Sequence, residues 1–545
     1  MTKMKHPRFL THYRSISSRF SLPSEGGRGR FLLTVILLAF CVGLQAQESE
    51  KYVVKTASGM VRGFDQEGSI AFLGIPYAQT ERFMPPQPAK PWSDKRECNK
   101  WGPQAMQRVF GRKLGEDEMS EQCTVLNVWT TDLHACKPVM VWLHGGGFDS
   151  GTSAWNPGMS LAQNDVVVVS VNHRLNILGF LDLSACSPRY KESANVGMLD
   201  VVAALQWVRD NIRQFGGDAD NITIFGESGG GGKVGTLLCM PAARGLFHKA
   251  IIMSGTILNV NTKSMSEELG KAVLRELGID AAHIDLINDV PYDTLYAAGQ
   301  RAMAASIGTR APGTPMMWGF GPSPDGVNLL QQPFQPGFAA ISDDIPILIG
   351  TTFNELQRLT YDQPMNEKKA REALQKTFGV DTDDYIRTFK STYPDRTPQD
   401  WLSIDWLFRP KTIITADYIS THRNAKTFMY MFTWRSPVNK GSVHGHELKF
   451  CFNTLRHGKN ELPEPTSADQ QLADRMSRVW AQFAHTGDPN IPELPLWHPY
   501  NPDNGEMMIF DYNCRITNNP DRDLEDIINK HCFKQLDEFR QKHAQ

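Results

Sequence analysis

The apolar positions of this chain gather in short dense runs, separated by glycine and polar clusters. Pro138–Leu143 is one such run and leads into a glycine cluster; Asp165–Val171, Ile222–Phe225 and Ile345–Ile349 are three more. Runs this short, rich in β-branched residues and lacking polar alternation, predict strands covered on both faces, as in a parallel sheet. Between the second and third, Val201, Leu205, Val208, Ile212 and Phe215 recur at helical spacing and stop at Gly216-Gly217. Strand, helix, strand in that order predicts an α/β fold with a mostly parallel central sheet flanked by helices. Residues 260–340 read as helix and then as a Pro/Gly-rich stretch without strand pattern. They are expected to form an insertion over the catalytic face, not a separate domain.

The first 46 residues follow a different pattern. Seven basic residues and one acid, Glu25, precede the apolar run Phe31–Leu44, and Gln45-Ala46 follows it. A basic segment, an apolar stretch of this length and a small exit residue predict a secretory signal peptide ending at Ala46. The run falls short of the ~20 apolar residues a membrane span needs. The expected organisation is a signal peptide, 1–46, and a single domain, 47–545, exported to the periplasm or the exterior, with no stable membrane span once the leader is removed.

Composition adds exclusions. Of 545 residues, 57 are Lys or Arg and 59 Asp or Glu; removing the leader leaves 50 and 58, a net charge of −8. No basic footprint for nucleic acid exists. Eight cysteines remain (Cys98, Cys123, Cys136, Cys186, Cys239, Cys451, Cys514 and Cys532), none with C-x-x-C spacing. The common zinc and thioredoxin readings therefore fail. Neither sequence pattern nor chemistry calls for a metal or an organic cofactor, and oligomeric state is not legible.

The candidate chemistry begins at Gly226-Glu227-Ser228-Gly229-Gly230, directly after Ile222–Phe225 and before a helical run. G-x-S-x-G in this setting is the pattern of a nucleophile elbow, a strained strand-to-helix turn that lifts a serine above the sheet edge. By itself the pentapeptide is also compatible with a glycine-rich βα turn. Gly232-Lys233 invites a phosphate-loop reading, which fails because Glu227 stands where the first glycine belongs and Val234 where Ser or Thr would bind magnesium. Upstream, His144-Gly145-Gly146-Gly147-Phe148 closes the Pro138–Leu143 strand. A glycine run there lets backbone N–H groups approach a developing oxyanion, with the N–H after the serine completing the hole. Gly146, Gly147 and Gly229 are the expected donors.

Together these motifs resemble the type-B carboxylesterases of the α/β-hydrolase superfamily, which include bacterial para-nitrobenzyl esterases and animal cholinesterases. The resemblance runs from residue 52 to 512 through Phe72–Ala78, Leu126–Val128, Pro138–Phe148, Asn172–Phe180, Asn195–Asp200, Phe215–Gly230 and Trp480–Ala484. It implies an α/β-hydrolase fold and hydrolysis of a small-molecule carboxylic ester through an acyl-enzyme on Ser228. The superfamily's chain order is Ser, acid, His. Gly350–Glu355 is similar to the acid loop and makes Glu355 the orienting acid, although Asn354 replaces the usual Asp before it; Asp343 and Asp344 are the competitors on position alone. Val443–Leu448 resembles the H-G-x-E-L stretch and makes His444 the base. Without the resemblance, His444 and His446 are not separable. An imidazole base of ordinary basicity predicts activity falling as pH drops through about 6–7.

The resemblance also implies a Cys98–Cys123 disulfide. Where cholinesterases carry a choline-stacking tryptophan inside that loop, this chain has Lys113, whose charge opposes a quaternary ammonium; a choline ester is not expected as substrate. Fold and triad leave an amidase, lactonase or carbohydrate-ester deacetylase open as alternatives. A non-catalytic binding protein of the same fold is disfavoured by the presence of all three triad positions.

Overall fold

Each of the four apolar runs becomes a strand of one eleven-stranded sheet. In this computed structural model the described residues are 51–109, 112–113, 119–307, 319–334, 342–356, 365–405, 407–437, 441–457, 462 and 464–532, and the expected signal peptide lies outside them. The strands are β1 (Phe64–Gln66), β2 (Ser69–Pro76), β3 (Val125–Thr130), β4 (Lys137–Leu143), β5 (Val167–Val171) and β6 (Gly217–Glu227). They continue with β7 (Lys249–Met253), β8 (Ile347–Thr352), β9 (Thr427–Phe432), β10 (Glu506–Phe510) and β11 (Arg515–Asn518). Their spatial order is β11-β10-β9-β8-β7-β6-β4-β5-β3-β2-β1. From β5 to β10 every neighbouring pair is parallel. Antiparallel pairings flank this centre, β3 and β2 on one side and β11 on the other.

The alternation hidden inside the apolar runs now has a cause. In β4, Val139, Val141 and Leu143 face one hydrophobic cluster, while Met140 and Trp142 face another. β7 and β9 divide in the same way, with Ala250, Ile252, Met429 and Met431 on the first side and Ile251, Met253, Phe428, Tyr430 and Phe432 on the second. Both faces are covered, so both sets are apolar.

Helix α1 (Val196–Asn211) packs Val201, Leu205 and Val208 into the first cluster, together with Val234 and Leu237 of α2 (Gly229–Leu237). The insertion supplies α3 (Lys263–Leu277) and α4 (Tyr292–Ile307), and α7 (Arg409–His422) follows α5 (Glu367–Phe378) and α6 (Thr382–Thr392). Helix α8 (Ser467–Thr486) covers the second face with Leu472, Met476, Val479, Trp480 and Phe483. Its start is fixed by a capping box between Thr466 and Asp469, and Gly487 ends it in the left-handed conformation. The predicted insertion is helical up to residue 307; residues 308–318 lie outside the described set. No described helix is long and apolar enough to cross a membrane.

Candidate active site

The parallel register puts several strand ends side by side. Leu143 pairs with Gly226, so the glycine loop after β4 runs beside the elbow after β6; Met253 pairs with Gly350, and Thr352 with Phe432. Carboxyl ends of parallel strands are where open α/β sheets bind ligands.

Ser228 occupies φ 56°, ψ −122°, a conformation unfavourable for any residue with a Cβ. Its N–H donates to Met253 O at 2.9 Å, and the half-buried side chain sits at the N-cap of α2. The turn needs its glycines for clearance: a Cβ on Gly230 would lie 2.0 Å from Leu143 O, and one on Gly229 would lie 2.1 Å from Gly147 O. Gly146 and Gly147 have φ of 89° and 66° and are exposed, whereas Gly145 is buried against Glu227. As the first residue of α2, Gly229 has an N–H with no intrahelical partner. Of the expected oxyanion donors, Gly147 therefore lies against Gly229, the residue after Ser228, with Gly146 next to it in the chain.

Glu355 and His444 come together from two loops. Nδ1 of His444 lies 2.5 Å from Glu355 Oε2, and the other carboxylate oxygen accepts from Thr352 N–H at 2.6 Å. Glu355 is buried at φ 47°, and His444 N–H donates to its carbonyl at 3.0 Å. Asn354 fastens the same two loops. Its N–H donates to Ser442 O at 2.9 Å, its side-chain oxygen accepts from Ser442 N–H at 2.8 Å, and its amide donates to Ser403 O at 2.9 Å. The departure from Asp at this position is thus matched by a carbonyl that needs a donor. The ring of Phe408 stacks on the imidazole at 5.1 Å and 7°.

A second carboxylate completes the surroundings. Glu227 Oε1 is 3.2 Å from His444 Nε2. Burial lowers the imidazole pKa, but the charges of Glu227 and Glu355 outweigh it and raise the group to about 10. Burial raises Glu227 to about 7, partly opposed by His444. Glu447, also buried, is pushed up by burial and by both carboxylates, and accepts from Ser254 Oγ at 3.1 Å. Behind the glycine loop, Lys233 is fully buried and held near 7 by that burial, with Glu227 opposing.

With this geometry the comparison with known proteins is decisive: residues 50–525 match the Carboxylesterase family. The chain belongs to that family. It is 34% identical to the para-nitrobenzyl esterase of Bacillus subtilis (strain 168), covering 86% of this chain and 96% of that protein. Carboxylesterase 1E of Rattus norvegicus is 31% identical over 88% of this chain and 93% of its own. Among solved structures, an esterase from Clostridium hathewayi that can hydrolyse aliphatic aromatic polyesters superposes with a TM-score of 0.78 at 34% identity, covering 88% of this chain and 98% of that one. A para-nitrobenzyl esterase structure gives a TM-score of 0.72 at 32% identity, with 87% and 99% covered. The fold is that of the α/β-hydrolases, and the chain is a carboxylic ester hydrolase.

Within this carboxylesterase one sequence expectation is corrected. Cys98 and Cys123 are free thiols, each buried in a different apolar cluster. A parallel ladder sets Met119-Ser120 beside Gln104-Ala105, so Cys123 packs with Ala105 and Leu175. Cys98 instead lies along β2, its carbonyl accepting from Leu73 N–H at 2.8 Å. Sequence separation alone does not register that ladder. Lys113 ends a short hairpin, and its side chain lies outside those described.

His446, the competing histidine, is half-buried with its ring edge-on to Trp434 at 6.2 Å, and burial lowers it to about 3. The Glu227–His444 contact is not legible in the sequence, because it depends on which way the loop after β9 returns. Nor is the role of Phe408, whose place above His444 follows from Asp405. That buried carboxylate accepts the N–H groups of Leu407, Phe408 and Arg409 and so starts α7 there.

Proposed function

We propose that Ser228 is the nucleophile, His444 the general base and Glu355 the orienting acid of this ester hydrolase. The observation that carries the reading is the 2.5 Å contact between His444 Nδ1 and Glu355 beside the strained serine turn. Glu355 fixes the Nδ1–H tautomer, leaving Nε2 to take the Ser228 proton. Oγ then bonds to the ester carbonyl carbon, and the resulting oxyanion is received by the N–H groups of Gly146, Gly147 and Gly229. Removing one such donor typically costs about 3 kcal/mol in the barrier. Collapse breaks the carbon–oxygen bond of the alcohol, which leaves with the proton from His444; water repeats the sequence on the acyl-enzyme.

Incubation with an aryl phosphonate ester, followed by peptide mass spectrometry, tests the nucleophile. One adduct on the peptide containing Ser228 is expected, and an adduct elsewhere with Ser228 unmodified would overturn the assignment.

We further propose that residues 1–46 direct export, on the strength of the basic segment, the apolar run Phe31–Leu44 and Ala46. The exported protein is expected to begin at Gln47. An intact N-terminus on protein recovered outside the cytoplasm would refute the cleavage.

A further inference from the structure

Lys233 is the residue that gives α2 the appearance of a phosphate loop in sequence, and the chemistry above makes no use of it. It lies five residues beyond Ser228 on the helix that the elbow starts, with its side chain fully buried. A buried amine is costly unless its hydrogens are bonded. Here Nζ donates to His144 O and to Gly147 O, both at 2.9 Å, and lies 5.5 Å from the centre of the Phe148 ring.

Those two acceptors are the ends of the glycine loop. Between them, Gly145 O faces His144 Nδ1 at 2.9 Å, and Gly146 O accepts from Ser150 N–H at 3.0 Å. All four carbonyl oxygens from His144 to Gly147 are therefore engaged. Because a trans peptide points its N–H opposite its C=O, bonding the Gly145 and Gly146 carbonyls aims the Gly146 and Gly147 N–H groups away from those partners. Lys233 holds the flanking planes on both sides of this pair. The three glycines of the loop have no side chains with which to resist movement, and glycine backbone has the widest freedom of any residue. A Cβ on Gly147 would meet only Asp149 N, at 3.8 Å, so the outer side offers no support.

We propose that Lys233 is a positioning residue of the oxyanion site: its amine clamps the two ends of the His144–Gly147 loop and so sets the direction of the Gly146 and Gly147 N–H groups. The inference rests on the reading of those groups as oxyanion donors. Glu227, His144 and His173 are the titratable groups around the amine, and burial holds both histidines well below their ordinary range. A charged or a neutral amine can donate to both carbonyls, so the clamp works in either state.

The test compares Lys233→Met, which keeps an unbranched chain without donors, and Lys233→Gln with the wild type. Three quantities are read: kcat and KM for a p-nitrophenyl ester, and Ki for an aryl trifluoromethyl ketone, whose serine adduct bears an oxyanion. The Met variant should lose about 10²-fold in kcat with KM within threefold, and the ketone should bind weaker by a similar factor. Gln, retaining an amide donor, should recover part of both losses. A folded Met variant with kcat and Ki within threefold of wild type would overturn the proposal. So would a rise in KM with ketone affinity unchanged, which marks packing alone. If the Met variant does not fold, the Gln variant carries the same comparison. Ser228→Ala is run in parallel: retained activity there sinks the underlying nucleophile reading, whatever Lys233 does.

Discussion

Glu227 faces the nitrogen of His444 that Glu355 leaves free, with Oε1 3.2 Å from Nε2. The imidazole therefore stands between two carboxylates, and both favour its protonated form. General-base catalysis needs the neutral form, so the acid limb of the pH profile should lie above the 6–7 range of an ordinary histidine. Glu227→Gln removes one negative charge and should move that limb to lower pH, by roughly 1–3 units. The measurement is kcat/KM against pH for a p-nitrophenyl ester; a limb that stays put or moves upward contradicts the arrangement.

Ser228→Ala should reduce kcat on the order of 10⁴-fold or more while the fold persists. Ser228→Gly should be equally inactive but more stable, because φ 56° with ψ −122° is strained for any side chain and open to glycine. The gain should be about 1 kcal/mol, read as a higher melting temperature at a fixed scan rate. A Gly variant that melts below the Ala variant counts against strain at the elbow.

The two histidines should separate cleanly. His444→Ala should match the loss seen for Ser228→Ala, whereas His446→Ala should alter kcat and KM only modestly, since that ring packs edge-on to Trp434. The larger loss at His446 would reverse the assignment.

Asn354→Ala should weaken both stability and turnover. It leaves Ser403 O and Ser442 N–H without their partners in a buried setting, at a cost of about 2 kcal/mol. Urea unfolding reads the first effect and kcat the second. An unchanged midpoint would show that the bonds are replaced.

How much of this was legible in the sequence depends on range. Val139 to Leu143 announces a buried strand because each residue touches one core or the other. The elbow is equally readable, since Ser228, Gly229 and Gly230 are consecutive and their geometry is local. Glu355 and His444 needed the family resemblance, because 89 residues separate them and only tertiary structure joins them. The disulfide expectation failed at the same range: the neighbour of Cys123 is set by a ladder two residues long, Gln104-Ala105 against Met119-Ser120. The Lys233 contacts were invisible for a related reason, as their acceptors are backbone atoms 86 and 89 residues upstream, which no side-chain pattern marks.

The paired contacts between Asn354-Glu355 and Ser442–His444 carry one more implication, for motion. Two backbone bonds and the Asn354 side chain lock acid to base, while Ser228 belongs to a different strand and helix. Acid and base are thus tied to each other by backbone bonds, whereas the base meets the elbow through the Glu227 side chain. Gentle warming is expected to lengthen the distance from Oγ to Nε2 before it breaks the imidazole–carboxylate bond. Catalysis would fade while the imidazole–carboxylate bond and the bulk of the sheet were still in place.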